Sequence, residues 1–160
     1  MIPVVLAAKS SSDASKVAPF PPDPNSASST IDTVKREIEE SGGSATAIVV
    51  DVRDYSAVER MADILDKVRT WIALCCYPPS LTLASKSYGK LDVLIYNSGA
   101  IWWSAVETTP MKRFRLMQQV NPEGLYGCIQ VCLPLFQKNS WNSRIVVVSP
   151  PIYSRFFRGK

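Results

Sequence analysis

The sequence predicts an α/β protein built on a parallel β-sheet with helices on both faces. Four short apolar runs have strand length, and helical segments lie between them, so that strands and helices alternate along the chain. The runs are apolar at nearly every position, which is typical of strands that are buried on both faces of a parallel sheet. The length of 160 residues fits one domain, which we take to span residues 1–160.

The first part of the chain predicts two strands and one helix. The run Ile2–Ala8 is a buried strand, since it lacks the basic start of a signal peptide. Residues 10–29 are rich in Ser and Pro and predict a loop. An amphipathic helix over Ile31–Ser41 ends at Gly42-Gly43, and Ala45–Val52 is the second strand.

The middle of the chain predicts one helix and one irregular segment. Asp54 can cap the helix, because its carboxylate can accept from free backbone N–H groups of the first turn. The apolar residues that follow have helical spacing: Val58, Met61, Ala62, Leu65 and Val68. Residues 70–87 are apolar without a period and contain Pro78-Pro79, so we interpret them as an irregular insert.

The last part of the chain predicts two strands joined by one long helix. Leu91–Tyr96 is the third strand, and Arg144–Ser149 is the fourth. The helix runs from Pro110 to Lys138, with bends expected near Pro122 and Pro134 because proline removes a backbone donor.

A small polar turn, Asn97-Ser98-Gly99-Ala100, follows the third strand directly. Ligands of parallel α/β sheets bind beyond the carboxyl ends of the strands. Small residues at that place let a flat or anionic ligand approach the backbone. The turn is therefore the first candidate for a binding site.

Composition excludes several kinds of function. The chain has no histidine, which removes Ser-His-Asp and Cys-His catalysis and histidine-containing zinc sites. The net charge of +4 is mild and the basic residues are scattered, so we expect no nucleic-acid partner. No apolar run approaches the roughly 18 residues of a membrane span, so we expect no membrane partner.

The four cysteines predict reduced thiols rather than a metal site. Their positions match neither a zinc ribbon nor a secreted disulfide framework. They are Cys75, Cys76, Cys128 and Cys132. We therefore expect no metal and a cytoplasmic location.

Four segments, taken in order, resemble the short-chain dehydrogenase/reductase family, and in particular its hydroxysteroid dehydrogenase-like type. The segments are VDVRD at 50–54, DVLIYNSGA at 92–100, QQVNPEG at 118–124 and RIVVVSPP at 144–151. The second resembles the family's strand followed by Asn-Asn-Ala-Gly, from which Tyr96 and Ser98 depart. The resemblance covers most of the chain except residues 70–87.

The resemblance implies an NADP-dependent oxidoreductase that acts on a small-molecule carbonyl or alcohol substrate. Lys9 stands where the family reads the cofactor ribose, and a lysine there favours the 2′-phosphate of NADP over NAD. The other cofactor-binding positions implied are Asp51, Val52, Asn97 and Gly99. The catalytic positions implied are Asn121 and Ser149.

The resemblance also implies that parts of the family pattern are missing from these 160 residues. Neither the family's glycine-rich turn nor its Tyr-x-x-x-Lys pair occurs. The fold expected is an incomplete Rossmann-like doubly wound parallel sheet that lacks the first strand and the glycine-rich turn. Because that strand is central in the family, the two halves of the sheet must close the gap, recruit another strand or leave edges exposed.

We therefore expect a chain truncated at both ends and inactive as it stands. The alternative is a non-catalytic interaction protein that reuses the half-fold, either as a homo-oligomer or paired with a full-length relative. A third reading is an enzyme that borrows the missing parts from a partner chain.

Overall fold

The computed structural model describes residues 3–23, 25–67, 71–73 and 90–149. Five parallel strands form a three-stranded sheet of order β2-β1-β3 and a two-stranded sheet β4-β5. The strands are β1 Pro3–Ala8, β2 Ser44–Val49, β3 Trp71–Ala73, β4 Val93–Tyr96 and β5 Arg144–Val147. The helices are α1 Ile31–Glu40, α2 Tyr55–Lys67, α3 Met111–Gln118 and α4 Gly124–Lys138, with a π-helical turn at Gln119–Glu123.

Helices cover both faces of β1, as the sequence predicts for a doubly wound sheet. The described residues form two hydrophobic clusters, and the larger of them is the larger core. Val5 and Ala7 lie in the larger core, where they pack with buried side chains of α2 and α4. Leu6, between them, points to the other face and packs with Ile31 of α1 and Ala45 of β2. Because successive side chains of a strand face opposite ways, this alternation confirms that β1 is buried on both sides.

The strand β3 lies in the segment for which we expected no regular structure. Its backbone pairs in parallel with β1, with Val4 opposite Trp71 and Leu6 opposite Ala73. It also lies against β4, so it occupies the gap between the two sheets. Of the three outcomes expected at this gap, recruitment of another strand is the one observed. Residues 70 and 74–87 of the insert lie outside the described residues.

The long helix is continuous from Met111 to Lys138, as predicted, but its winding changes once. The π-helical turn contains Pro122, which has no N–H for the regular α-helical pattern. The N–H of Gly124 instead donates to the carbonyls of Gln119 and Asn121. The helix passes through Pro134 without a change of type.

The loop over residues 10–29 is fastened to α1 at several points. Asp32 accepts a hydrogen bond from the Ser12 N–H at 3.1 Å. Arg36 donates to the Ala14 carbonyl at 3.0 Å, and its guanidinium lies 3.8 Å from the centre of the Phe20 ring.

At α2, the carboxylate of Asp54 accepts from the Ala57 N–H at 3.2 Å, which confirms the predicted cap.

Among the described helices, none combines the length and the apolar character needed to cross a bilayer.

Candidate active site at the carboxyl ends of the strands

Four of the predicted site residues follow four different parallel strands. Lys9 comes directly after β1, Asp51 two residues after β2, Asn97 directly after β4 and Ser149 two residues after β5. Carboxyl ends of parallel strands meet at one edge of a sheet, which is where doubly wound folds bind ligands. The fold thus carries these four side chains toward the same edge.

Asp51 lies between two cations. The Arg53 guanidinium makes a bidentate contact with the Asp51 carboxylate, with Nε 2.9 Å from Oδ1 and Nη2 2.5 Å from Oδ2. The Arg53 backbone N–H also donates to Oδ1, at 3.1 Å. Lys9 Nζ lies 3.6 Å from Oδ2. The hydrogen bonds from Arg53 are the largest reason that the pKa of Asp51 lies well below its ordinary range. The carboxylate is therefore ionised and already paired.

Arg53 was not among the predicted site residues. Arg53 lies in the same short turn after β2 as Asp51. Their spacing of two residues is the only sequence signal for the contact between them. Side chains this close in a turn can meet, but nothing in the sequence decides whether Arg53 points toward Asp51 or into solvent.

Asn121 is bound to the polar turn that follows β4. Its Oδ1 accepts from the Ala100 N–H at 2.8 Å, and its Nδ2 donates to the Ala100 carbonyl at 3.0 Å. Both halves of the amide are thus used on one backbone residue. These two bonds hold the turn against the π-helical segment and fix the position of Gly99. The space beside Gly99 is open, since a β-carbon added there would meet no atom within 4 Å.

Tyr96 supports the π-helical turn that carries Asn121 by a hydrogen bond to its backbone. This side chain is only 2% exposed, and its hydroxyl donates to the Val120 carbonyl. Tyr96 departs from the family pattern, and the structure gives that departure a role, because the phenol reaches a carbonyl at the point where the helix changes its winding. Gly124 leaves room for the phenol, since a β-carbon there would lie 2.5 Å from the Tyr96 oxygen.

The remaining predicted residues lie around these two groups. Val52 packs partly buried against the larger core, within reach of Gly124. Asn97 is half-buried, whereas Ser149 is exposed, directly after the backbone bond of 2.9 Å from Val148 N–H to the Tyr96 carbonyl. The site therefore consists of a charged group at the ends of β1 and β2 and an amide-closed turn at the end of β4.

The described cysteines belong to the core rather than to this site. Burial raises the pKa of both Cys128 and Cys132 to about 12. Their thiols are free, and among the described residues no group of three or more His, Cys, Asp or Glu side chains is placed to hold a metal. Cys75 and Cys76 lie outside the described residues.

Comparison with known proteins identifies the relatives of this architecture. The family model described as short chain dehydrogenase matches residues 80–152. Hydroxysteroid dehydrogenase-like protein 2 of Mus musculus is 35% identical over 127 residues, which cover 77% of this chain and 21% of the mouse protein. A short chain dehydrogenase structure from Mycobacterium thermoresistibile is 31% identical with a TM-score of 0.66, covering 94% of this chain and 43% of that one.

A third relative was solved with ligands. A 7α-hydroxysteroid dehydrogenase, complexed with NADH and 7-oxo glycochenodeoxycholic acid, is 24% identical with a TM-score of 0.57. It matches 74% of this chain and 38% of its own, and at this identity it shows the shared fold alone.

The parallel sheet with helices on both faces places the chain among the doubly wound α/β proteins. Within that class, the matched segments and the relatives place it further: the chain belongs to the short-chain dehydrogenase/reductase family. It spans about a fifth of the length of the mouse relative and less than half of the solved relatives.

Proposed function

We propose that residues 1–160 form the adenosine-binding side of an NADP-dependent oxidoreductase for a carbonyl or alcohol substrate. We further propose that these residues alone do not complete hydride transfer. The observation that carries the proposal is the placement of Lys9, Asp51, Asn97 and Ser149 after four parallel strands, in a chain that belongs to a dehydrogenase family.

Preference for NADP rests on the charges at the ends of β1 and β2. The Lys9 side chain is 68% exposed, and its ammonium reaches Asp51 only at 3.6 Å, so it can pair with a phosphate without a large rearrangement. An acidic residue at this place would accept from a ribose 2′-hydroxyl, whereas a lysine attracts a 2′-phosphate. Arg53 adds a second cation beside it, and the group of three side chains carries a net positive charge.

The adenine ring would meet a carboxylate that is already occupied. Arg53 bonds to both oxygens of Asp51, so an exocyclic amine of the base can use that carboxylate only by displacing the guanidinium. Exchanging one bond for another adds little binding energy. The cations Lys9 and Arg53 thus suit the 2′-phosphate on the ribose. The occupied carboxylate of Asp51 suits the adenine base less well.

Chemistry at the substrate needs a group that gives or takes a proton. The bound cofactor would donate a hydride as NADPH or accept one as NADP⁺, but neither Asn121 nor Ser149 is acidic or basic enough to handle the proton alone. The Asn121 amide oxygen and amide nitrogen each bond to Ala100, so the part of Asn121 is to hold the turn. Loss of a general acid costs roughly 10²–10⁴ in rate, which leaves these residues without measurable turnover.

Calorimetric titration of the 160-residue chain with NADP and with NAD tests the cofactor assignment. We expect weak binding, well above the micromolar range, with NADP bound more tightly than NAD. Lys9→Glu should abolish that preference. Lys16→Glu makes the same charge change on a lysine that pairs with Asp13 in the loop, and it should leave the preference intact.

Two outcomes would contradict the proposal. Equal affinity for NADP and NAD in the unmodified chain would remove the role of Lys9. Oxidation of NADPH with a carbonyl substrate, abolished by Asn121→Ala, would show that residues 1–160 contain a complete catalytic centre.

A further inference from the structure

The contact between Arg53 and Asp51 blocks the carboxylate that the proposed nucleotide site would offer to adenine. Nε of Arg53 lies 2.9 Å from Oδ1 and 3.2 Å from Oδ2, and Nη2 lies 2.5 Å from Oδ2. The backbone N–H of Arg53 also donates to Oδ1, at 3.1 Å. Each oxygen of the carboxylate is therefore bonded to the guanidinium before a ligand arrives.

A neutral amine is a poor competitor for this carboxylate. Hydrogen bonds that involve charged groups are roughly twice as strong as those between neutral groups, and a bidentate guanidinium makes two of them. The exocyclic amine of adenine is uncharged and brings one N–H to one oxygen. The side chains of Arg53 and Asp51 are only 32% and 28% exposed, so solvent weakens their contact less than it weakens a fully exposed ion pair. Adenine alone therefore does not displace Arg53.

A 2′-phosphate changes this balance because it gives the guanidinium another partner. A phosphate monoester carries close to two negative charges at neutral pH, and arginine can bind it in the same bidentate way as a carboxylate. Nζ of Lys9 lies 3.6 Å from Oδ2, the oxygen that Nη2 of Arg53 contacts. An anion that pairs with Lys9 thus arrives beside the Arg53 guanidinium.

We propose that Arg53 determines the specificity of this site by exchanging one partner for another. In the free chain it holds Asp51 and keeps adenine from the carboxylate. A ligand with both adenine and a 2′-phosphate draws the guanidinium onto the phosphate and leaves Asp51 to accept from the adenine amine. A ligand without that phosphate binds with Arg53 still on Asp51. Arg53 therefore disfavours the unphosphorylated nucleotide as well as attracting the phosphorylated one, and specific sites commonly combine both effects.

The inference rests on the proposed function, because it concerns the nucleotide site at the ends of β1 and β2, but it makes a separate demand. If Arg53 were only a second cation, its removal would weaken binding of the phosphorylated ligand and leave the unphosphorylated ligand unaffected. Exchange of partners requires that removal of Arg53 strengthens binding of the unphosphorylated ligand.

Titrations of the isotope-labelled 160-residue chain, followed by nuclear magnetic resonance, measure the dissociation constants of weak ligands. The probes are adenosine and adenosine 2′-monophosphate, which differ by the 2′-phosphate alone. Arg53→Met removes the guanidinium and should bind adenosine more tightly than the unmodified chain by about threefold or more, because Asp51 is then open. It should bind adenosine 2′-monophosphate about threefold more weakly, so that the preference between the two probes falls about tenfold.

Two further variants separate the block from the charge. Arg60→Met makes the same substitution in α2, at an arginine that is 66% exposed and lies 3.8 Å from Asp54, and it should leave both affinities unchanged. Arg53→Lys keeps the positive charge but lacks the planar guanidinium. It should bind adenosine more tightly than the unmodified chain does, and adenosine 2′-monophosphate more tightly than Arg53→Met does.

The Nε–H signal of Arg53 reports the exchange in the unmodified chain, so this measurement needs no substitution. We expect the signal to shift when adenosine 2′-monophosphate is added and to stay in place when adenosine is added.

The inference fails while the nucleotide site stands if the unmodified chain prefers adenosine 2′-monophosphate but Arg53→Met binds adenosine no more tightly. It fails in the same way if the Nε–H signal does not move at saturation with the phosphorylated probe. If neither probe binds the unmodified chain or its Arg53 variants at concentrations up to roughly 20 mM, the inference and the proposed function are both overturned.

Discussion

Gly124 and Gly127 lie three residues apart in α4, both buried, and the structure predicts opposite results for the same substitution. A β-carbon at Gly124 would lie 2.5 Å from the Tyr96 hydroxyl and 3.1 Å from Cγ2 of Val52. A β-carbon at Gly127 would meet only the Tyr55 ring, at 3.4 and 3.7 Å, which is ordinary contact. Gly124→Ala should therefore destabilise the fold, and Gly127→Ala should stabilise it.

The magnitude follows from three contributions. Replacing glycine by alanine in a helix gains about 1 kcal/mol at either position. Overpacking at Gly124 costs about 1–3 kcal/mol, because Tyr96 is buried and cannot swing aside. Moving the phenol also weakens its bond to the Val120 carbonyl, at a cost of about 1 kcal/mol. Gly124→Ala should lose about 1–3 kcal/mol net, whereas Gly127→Ala should gain up to about 1 kcal/mol.

Urea unfolding followed by circular dichroism measures both free energies of unfolding. Tyr96→Phe sharpens the test, because it removes the atom that the new β-carbon would strike. Alone it should cost about 0.5–1.5 kcal/mol, since the part-buried bond to the Val120 carbonyl is lost. Combined with Gly124→Ala, the total should fall at least about 1 kcal/mol short of the sum. Equal stability of the two alanine variants, or strict additivity in the double variant, would refute the reasoning.

Three further predictions concern charge, thiols and the inserted strand. The pKa of Asp51 lies below its ordinary value of 3.8, so ionised Asp51 stabilises the folded chain above that pH, and this stabilisation disappears as the pH falls toward the lower folded-state pKa. Arg53→Met should therefore flatten the acid dependence of the free energy of unfolding, measured by urea titrations between about pH 2 and 7. Alkylation of Cys128 and Cys132 at pH 8, followed by mass spectrometry, should be about a thousandfold slower in the native than in the unfolded chain, because burial raises each pKa from 9.0 to about 12. Deletion of residues 70–87 should lower the unfolding temperature, since it removes the strand paired with β1; unchanged stability would show that the pairing contributes nothing.

The regular elements could be predicted because local signals define them. The helix over Ile31–Glu40 has an apolar stripe and ends before Gly42, whose φ of 80° is a conformation that glycine adopts readily. The strands β1 and β5 are runs of apolar residues of strand length. Each of these signals lies within a few residues of the element that it predicts, so no tertiary contact is needed to recognise it.

The contacts within the candidate site could be predicted only in part. Family resemblance pointed to Asn121, but its pairing with Ala100 joins residues 21 positions apart, and no spacing rule connects them. Tyr96 was recognised only as a departure from the family pattern. Its hydroxyl acquires a role because Pro122 alters the helix 26 positions further along the chain, and such a compensation becomes visible only when both segments are folded.

The strand β3 shows why a segment without a pattern can still decide the geometry of the site. Three residues are too few to display a strand period, so the sequence favoured an irregular insert. In the fold they lie between β1 and β4, which separates the ends of those strands by one intervening strand. Neighbouring strands are about 4.8 Å apart, so the charged group that follows β1 and the turn that follows β4 are held roughly 10 Å apart across the sheet. The nucleotide that we propose for this edge would have to span that distance, and any change that removes β3 alters the spacing of the two groups together with the stability of the sheet.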